Sequence, residues 1–464
     1  MFNIIPGLQE YITRQGTLEL SANNRLVMLT KDETDLIGTL QVMQAELSVV
    51  TGNPFQIQVD GEAQPGDIVC AITSEIKGHP QGYTIEIDRN IKIKASTSTG
   101  IFYGLQTLRQ LLLEKPEHLP KCAIRDYPRY KQRGLMLDAG RKYWTMAYLH
   151  DLMLNMTRVK LNTLHLHFSD WNAFRLQSDQ NSGLAAKRSY SKEDIAQLQA
   201  WADLYHITLV PEIDLPGHAT AITRYDQTLG FTCKSMSEGR WPGGEDGGWT
   251  INFVDPTARQ WMKDLVSEFI PLFTGPYFHL GTDEVPDGDK ISQCPQVVQY
   301  AQEHGYAHVG DAFIEWINEM NALIRSFKKQ TQIWSWWDRI PHSLAPDKNI
   351  VVNSWVGERA SAKHLDAGYP VVHTSETALY LTPGLELFPN PAYLYHDWKL
   401  SSHPNLLGYK ICVWADKAFD QSDEYFENLL LAPRTVLAER TWKATHPTRS
   451  LADFFTLITK VTTT

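Results

Sequence analysis

The chain is an acidic, tryptophan-rich sequence of 464 residues. Its 43 Lys and Arg residues against 53 Asp and Glu give a formal net charge of −10, which argues against a nucleic acid or an anionic membrane as the main partner. A hydrophobic fraction of 43% with 21% charged residues excludes disorder and coiled coil as sensible interpretations. The 14 tryptophans are unusual, and because such large side chains often line apolar sites, they favour an aromatic pocket.

Residues 1–124 have the pattern of a small α/β domain. Strand-like runs at 82–87 and 91–95 are followed by a predicted helix from Thr99 to Leu113, with Leu105, Leu108 and Leu112 on one buried stripe. Prolines at 116, 120 and 128 then interrupt the chain. We therefore place a second domain at 125–464.

A new rhythm begins near residue 133, where short apolar runs end in polar groups. Eight such runs are candidate strands: 134–138, 163–170, 208–214, 277–284, 333–338, 350–355, 369–376 and 409–416. Helical patterns lie between several of them, so we predict a (β/α)8 TIM barrel, whose chemistry is expected at the carboxyl ends of the strands. A doubly wound open sheet is the weaker alternative, because no GxGxxG or Walker pattern is present.

The five cysteines are widely spaced and form no CxxC or CxxH pattern; they are Cys70, Cys122, Cys233, Cys294 and Cys412. We expect neither a disulfide framework nor a structural zinc site. The sequence shows no basic segment followed by an apolar core near its start and no run of about 18 apolar residues. This predicts a cytoplasmic protein without a membrane association, or a secreted one if the sequence is a trimmed mature form.

The adjacent acids Asp283 and Glu284 are the sharpest catalytic candidates. Two carboxylates at the end of an apolar strand are costly unless they face solvent or take part in chemistry. Neighbours on a strand point to opposite faces, so we expect this pair not to flank a glycosidic bond as ordinary paired carboxylates do. One acid beside a neighbour that steers another group fits better.

Polar residues at two earlier strand ends would share the same mouth. Asp170, Asp214 and His218 could tune the proton affinity of Glu284. His165 and His167 have a spacing also seen in metal-dependent barrel hydrolases, but the later strands supply mainly Trp, Asn and acids. Structural histidines are therefore favoured over a metal site.

Three tryptophans, Trp337, Trp355 and Trp414, end the fifth, sixth and eighth predicted strands. Indole faces at a barrel mouth suit the apolar face of a sugar ring, while nearby acids bind its hydroxyls. The glycine-rich segment 231–249, with Trp241 and Trp249, is a candidate substrate rim or a plain surface excursion.

Several ordered motifs carry a resemblance to one family. The runs at 133–143, 160–170, 211–218 and 279–284 resemble motifs of the β-N-acetylhexosaminidases of glycoside hydrolase family 20, and 100–108 and 437–442 resemble its N-terminal domain and its last barrel helix. The resemblance implies an exo-acting hydrolase that releases terminal, non-reducing β-linked N-acetylglucosamine from oligosaccharides without a metal or cofactor. Whether N-acetylgalactosamine is also released, and the oligomeric state, stay open.

The resemblance also implies a substrate-assisted retaining mechanism through an oxazolinium intermediate. Glu284 would be the acid and base, Asp283 would orient the acetamide, and Tyr380 would hold the acetamide oxygen. The substrate-binding set would be Arg141, Tyr380, Trp337, Trp355, Trp414 and Asp416, with Asp170, His218 and Asp214 as a supporting network.

The sequence departs from the family pattern at two positions. Thr382 stands where many relatives have an acid, and Asp416 stands where many have Glu. Recognition of the outer hydroxyls is therefore open, and a hexosaminidase for O6-substituted or extended hexosamines is one alternative. A catalytically silent sugar-binding barrel is another, and a metal-dependent hydrolase that uses His165 and His167 is a third.

Overall fold

The first domain is a mixed seven-stranded sheet with two helices on one face. The computed structural model describes residues 2–20, 24–29, 34–76, 78–114, 118–238, 248–443, 445 and 447–462. The strands are β1 (Glu10–Glu19), β2 (Asn24–Met28), β3 (Phe55–Val59), β4 (Ile68–Ile72), β5 (Tyr83–Ile87), β6 (Ile91–Ala95) and β7 (His118–Asp126), in the order β1-β7-β5-β6-β4-β2-β3. Helices α1 (Thr34–Thr51) and α2 (Ser98–Glu114) supply apolar side chains to its core.

Strands β5 and β6 show why this sheet is covered on one side. They alternate between buried isoleucines and more exposed Thr, Glu and Lys side chains, as expected for a sheet with one solvated face. The predicted helix from Thr99 to Leu113 is α2, and the predicted boundary after residue 124 falls near the end of β7.

The second part is a closed parallel barrel, which confirms the predicted fold class. Its strands are β8 (Gln132–Asp138), β9 (Thr163–His167), β10 (Thr208–Leu215), β11 (Tyr277–Gly281), β12 (Gln330–Trp334), β13 (Val351–Ser354), β14 (Val371–His373) and, after the short β15 (Tyr380–Leu381), β16 (Leu406–Val413). Parallel pairing of β14 with β16 and of β16 with β8 closes the barrel, and β15 extends the sheet beside the carboxyl end of β16.

Helices surround the barrel and connect its strands. They are α3 (Met146–Arg158), α4 (Lys192–Leu204), α5 (Thr220–Tyr225), α6 (Lys234–Ser237), α7 (Pro256–Phe269), α8 (Asp289–Ser292), α9 (Pro295–Glu303), α10 (Gly310–Ser326), α11 (Gly357–Asp366), α12 (Glu376–Leu379), α13 (Pro391–His396), α14 (Asp423–Trp442) and α15 (Leu451–Thr462). Among the described residues, none of these helices combines the length and apolar character that a bilayer crossing requires.

One disulfide, between Cys233 and Cys294, was not predicted, since the cysteine spacing offered no reason to expect a disulfide framework. It joins the segment after β10 to the segment after β11, and the two cysteines are 61 residues apart in sequence, so no local motif announces the pair. Cys70, Cys122 and Cys412 are buried free thiols.

The two domains meet around a buried ion pair. Lys160 Nζ lies 3.1 Å from Asp126 Oδ2 and donates to the Tyr83 hydroxyl at 2.8 Å. The indole of Trp442, near the end of α14, donates to Asp126 Oδ1 at 3.0 Å. The last strand of the first sheet, the turn before β9 and the last barrel helix are thus held at one point.

Candidate active site

The acid pair lies just beyond the carboxyl end of β11. Thr282 and Glu284 have φ angles of 84° and 47°, a left-handed conformation that non-glycine residues rarely adopt. A Cβ at Gly281 would lie 1.8 Å from Asp214 Oδ1, so only glycine fits there. Asp214 Oδ1 in turn accepts the Thr282 backbone N–H at 3.2 Å. The chain is therefore turned sharply at the point where it presents Asp283 and Glu284.

Asp283 and Glu284 face the same imidazole, contrary to our expectation of opposite faces. His218 Nε2 lies 3.5 Å from Asp283 Oδ2 and 3.4 Å from Glu284 Oε2. The expectation was wrong because β11 ends at Gly281, so strand alternation no longer governs the two following acids. Their side chains are 11% and 10% exposed, which leaves both within reach of a bound molecule.

The pKa of Asp283 is shifted upward, toward neutral pH. Burial raises the pKa of Asp283 to about 6; His218 opposes this increase, and the neighbouring carboxylate of Glu284 reinforces it. Burial and the charge of Asp283 likewise raise the pKa of Asp214 well above its ordinary value. Closely spaced buried carboxyl groups thus compete for protons behind the site.

Asp170 is the hub that connects His218 to the barrel interior. Its Oδ1 lies 3.2 Å from His218 Nδ1, and its Oδ2 lies 2.9 Å from both Arg141 Nη2 and His167 Nε2. Burial would raise the pKa of Asp170, but the charges of Arg141 and His218 outweigh it and hold that pKa well below its ordinary value. Burial would lower the pKa of His218, but Asp170 and Asp283 hold it well above its ordinary value. The His218 imidazole beneath the acid pair therefore favours its protonated, positively charged form.

Arg141 is fixed by carboxylates on three sides. It lies 3.0 Å from Asp138 Oδ2, 2.9 Å from Asp170 Oδ2 and 3.6 Å from Asp416 Oδ1, and its guanidinium stands 5.3 Å from the ring centre of Trp414. The Asp416 side chain is 27% exposed. Arg141 therefore presents a rigid hydrogen-bond donor to a ligand, and Asp416 presents an accessible acceptor.

Four aromatic side chains form what we call the aromatic cluster: Trp334, Trp355, Tyr380 and Trp414. Ring centres are 5.9 Å apart for Trp334 and Trp414, 5.8 Å for Tyr380 and Trp414, and 6.1 Å for the stacked pair Trp355 and Tyr380. Tyr380 and Trp414 are each 8% exposed, so a small part of each side chain is accessible from outside. The cluster supplies flat apolar faces close to Arg141.

Trp337 does not join this cluster, which corrects the sequence prediction. Its ring packs against His364 at 5.2 Å and Tyr369 at 5.8 Å in the layer outside the barrel. The reason is that β12 ends at Trp334 rather than at 338, so the buried Trp334 joins the cluster and Trp337 begins a short 3-10 helix. Of the two tryptophans in the glycine-rich segment, Trp241 lies outside the described residues and Trp249 packs 4.4 Å from His218.

A buried charge cluster below the site was not predicted. Glu212 Oε2 lies 2.8 Å from His165 Nε2 and 2.7 Å from His167 Nδ1, and its Oε1 lies 3.2 Å from His279 Nδ1. Burial would raise the pKa of Glu212, but the three imidazoles hold it well below its ordinary value. Glu212 stands two residues before Asp214 on β10, so the period of two was the signal that could have placed both on the inner face.

The histidines at 165 and 167 are engaged by this cluster. Lys410 Nζ lies 2.5 Å from His165 Nδ1, and it also donates to Asn353 Oδ1 at 2.8 Å. Ligand atoms of His165, Glu212 and His279 are close enough together to hold a cation. The ammonium of Lys410 already supplies a positive charge at that place.

Comparison with known proteins shows the family to which the chain is related. The model for the catalytic domain of glycosyl hydrolase family 20 matches residues 130–445, and the model for domain 2 of the same family matches residues 1–127. The chain belongs to glycoside hydrolase family 20. Its match to the catalytic model spans more than half of the sequence and contains every site residue described above.

Relatives and solved structures of the family cover the chain almost end to end. A lacto-N-biosidase of Bifidobacterium bifidum is 22% identical over 98% of this chain and 41% of its own length, and a beta-hexosaminidase of Porphyromonas gingivalis is 24% identical over 95% and 60%. The chain therefore spans about half the length of these curated relatives. A Flavobacterium johnsoniae chitobiase structure has a TM-score of 0.83 at 22% identity, covering 100% of this chain and 72% of that one, which supports the fold.

Proposed function

We propose that this family 20 protein is an exo-acting β-N-acetylhexosaminidase that uses the substrate's own acetamide as nucleophile. The observation that carries the proposal is the adjacent pair Asp283 and Glu284, which face one imidazole beside the aromatic cluster. Two neighbouring carboxylates are badly placed to flank one glycosidic bond, where ordinary pairs use one group as the acid and the other as the nucleophile or base. A nucleophile supplied by the substrate removes the need for a second flanking carboxylate.

Glu284 takes the role of general acid and then general base. It protonates the leaving oxygen while the acetamide oxygen attacks the anomeric carbon, and it later removes a proton from the water that opens the cyclic intermediate. His218, held by Asp170 from behind, fixes the carboxyl group from below. Proton donation to the leaving oxygen and proton removal from water take place at the same position, so one anchored carboxyl group can perform both.

Asp283 and Tyr380 bind the acetamide. The carboxylate of Asp283 accepts the acetamide N–H and stabilises the positive charge of the oxazolinium ring, while the Tyr380 hydroxyl donates to the acetamide oxygen. Asp283 Oδ1 is a buried oxygen without a hydrogen-bond partner among the described residues, and the indole N–H of Trp355 is a buried donor without one. Buried polar atoms without partners are costly, and a polar ligand relieves that cost.

Arg141 and Asp416 bind outer hydroxyls of the terminal sugar. Asp138 and Asp170 hold Arg141 in place before a ligand binds, so binding a hydroxyl costs little additional side-chain entropy. The apolar face of the sugar ring lies on the aromatic cluster. The partner is therefore an oligosaccharide with a terminal β-linked N-acetylhexosamine.

The test is hydrolysis of aryl N-acetyl-β-glucosaminides by wild type, Glu284→Gln and Asp283→Asn. Both variants should lose most of kcat, and Glu284→Gln should lose most with a poor leaving group, because such a group needs the proton. Full activity in either variant would contradict its assigned role. Binding of N-acetylglucosamine without turnover by wild type would instead identify a silent sugar-binding barrel.

A second candidate is release of an O6-substituted or extended hexosamine. Thr382 is 2% exposed and its hydroxyl has no partner among the described residues, so the side of the site nearest Tyr380 lacks the acid of many relatives. A similar protein, from Bifidobacterium bifidum, is named a lacto-N-biosidase. A panel of defined β-linked hexosaminides in gluco and galacto form, with and without O6 substitution, discriminates the candidates by their kcat/KM values.

We also propose that the protein works in an oxidising compartment, in place of the cytoplasm. The Cys233–Cys294 disulfide supports this, because such bonds rarely persist where glutathione keeps thiols reduced. The test is thiol alkylation in intact cells of the native source before extraction. We expect Cys233 and Cys294 to remain unmodified. Alkylation of both would show reduced thiols and would indicate a cytoplasmic location instead.

A further inference from the structure

Two tryptophan indoles bind consecutive backbone carbonyls at the acid pair. Trp249 Nε1 donates to the Glu284 carbonyl oxygen at 2.9 Å, and Trp336 Nε1 donates to the Val285 carbonyl oxygen at 2.7 Å. Trp249 is 1% exposed and Trp336 is 2% exposed. Both bonds are therefore shielded from competing water, and each strongly restricts the backbone it meets.

The two indoles approach from different parts of the barrel. Trp249 ends the segment that follows β10, and Trp336 lies just after β12, so they come from the strands on either side of β11. Together they hold the chain at Glu284 between the two neighbouring connections. The Cys233–Cys294 disulfide links the segment that carries Trp249 to the stretch that follows the acid pair.

The held segment is one that would not keep its conformation unaided. Thr282 and Glu284 both have positive φ angles, and such strained conformations persist only where the surrounding structure imposes them. Relaxation of Glu284 toward an ordinary φ would swing its carboxyl group away from His218. The hydrogen bonds to the Glu284 and Val285 carbonyls oppose that movement directly.

Each indole also touches another part of the site. The Trp249 ring centre lies 4.4 Å from that of His218, and the Trp336 ring stacks on Trp355 with centres 5.7 Å apart and planes 4° apart. Trp249 thus fixes both the acid and the imidazole below it. Trp336 connects the acid to the aromatic cluster where the acetamide binds.

We propose that Trp249 and Trp336 are positioning residues for Glu284, which together we call the indole clamp. In this proposal neither indole touches the reacting atoms. The two indoles fix the position from which Glu284 donates a proton to the leaving oxygen and later accepts one from water. This inference rests on the proposed hydrolase function. It predicts that loss of either N–H lowers kcat while KM changes little, because the groups that bind the sugar stay in place.

The experiment compares Trp249→Phe, Trp336→Phe and the double variant with wild type. Phenylalanine keeps an aromatic ring but removes the N–H donor. Trp316→Phe is the matched control, because Trp316 on α10 is fully buried and its Nε1 has no hydrogen-bond partner among the described residues. The control loses ring volume without losing a hydrogen bond.

Aryl N-acetyl-β-glucosaminides with a good and a poor leaving group are the substrates. Each clamp variant should lose about 10- to 100-fold in kcat, since a displacement of about 1 Å has effects of that size. The loss should be larger for the poor leaving group, whose departure depends on the proton from Glu284. The ratio of the two kcat values is independent of the active fraction, so it decides even for a variant that folds poorly.

Equal leaving-group ratios in Trp249→Phe, Trp336→Phe and Trp316→Phe would overturn the clamp and leave the hydrolase function intact. Absence of turnover in the wild type would overturn the hydrolase function itself. The two failures are therefore distinguishable. A rise in KM without a change in kcat would assign the tryptophans to sugar binding and would also contradict the clamp.

Discussion

At the scale of single residues, the main feature of the site is the difference in pKa between the carboxyl groups of Asp283 and Asp170. His218 lies between them, 3.2 Å from Asp170 and 3.5 Å from Asp283. The charges of Arg141 and His218 hold the pKa of Asp170 well below its ordinary value, whereas burial raises the pKa of Asp283 to about 6. The carboxyl group that we assign to the acetamide thus has its pKa raised toward neutral pH.

The first prediction concerns pH. Asp283 must be ionised to stabilise a positive intermediate, so kcat/KM should fall as the pH drops below about 6. Measurement from pH 4 to 8 with a good leaving group checks this, and the residual activity of Asp283→Asn should lack the acid limb. The same limb in Asp283→Asn would assign the titration to another group.

At the scale of elements, the barrel strands were predictable and their ends were not. Short apolar runs with helical patterns between several of them identified all eight barrel strands, because burial imposes those patterns. The run from Trp334 to Trp337 contains three tryptophans, and nothing in its composition marks where β12 stops. The prediction therefore chose Trp337, although Trp334 is the tryptophan of this run that packs against Trp414.

Long-range pairing was equally hidden from the sequence. The cluster around Glu212 depends on strand register, which pairs Glu212 with His167 on one side and with His279 on the other. The Cys233–Cys294 bond depends on the path of two separate connections. Arg141, Asp170 and the acid pair, which the family motifs had selected, do lie close together around His218.

The second prediction tests the Glu212 cluster. Glu212→Gln removes the charge that three buried imidazoles share, and it should lower the free energy of unfolding by about 3–5 kcal/mol. Urea unfolding measures this, with Glu303→Gln on the exposed part of α9 as the control. An unchanged urea midpoint in Glu212→Gln would mean that the cluster contributes no net stability.

The third prediction tests the disulfide. Replacing both Cys233 and Cys294 by serine should lower the free energy of unfolding by about 4 kcal/mol, because the bond closes a loop of about 60 residues in the unfolded chain. Urea unfolding of wild type with and without a reductant should show the same difference. Identical curves would show that the two thiols are not paired in solution.

At the scale of the whole molecule, the two domains are expected to unfold together. Asp126, Lys160 and Trp442 form a buried contact to which the first sheet, the turn before β9 and the last barrel helix all contribute. The apolar core of the first domain also includes Trp442. The barrel is therefore stabilised by a residue of the first domain, and the first domain by a residue of the barrel.

The fourth prediction follows from this contact. Asp126→Ala leaves the Lys160 ammonium buried without its carboxylate, so the free energy of unfolding should fall by about 3–5 kcal/mol in a single transition. Circular dichroism and tryptophan fluorescence should report the same midpoint. Two separate transitions in the wild type would show that the domains are energetically independent.

The substrate-assisted mechanism is the central claim, and it predicts how the rate depends on the acyl group of the substrate. The measurement is kcat/KM for aryl β-glucosaminides that carry N-acetyl, N-fluoroacetyl, N-difluoroacetyl and N-trifluoroacetyl groups. Each fluorine withdraws electrons from the carbonyl oxygen that attacks the anomeric carbon, so kcat/KM should fall steeply along the series. Rates that do not change across the series would contradict the account, because the nucleophile would then belong to the protein or to water.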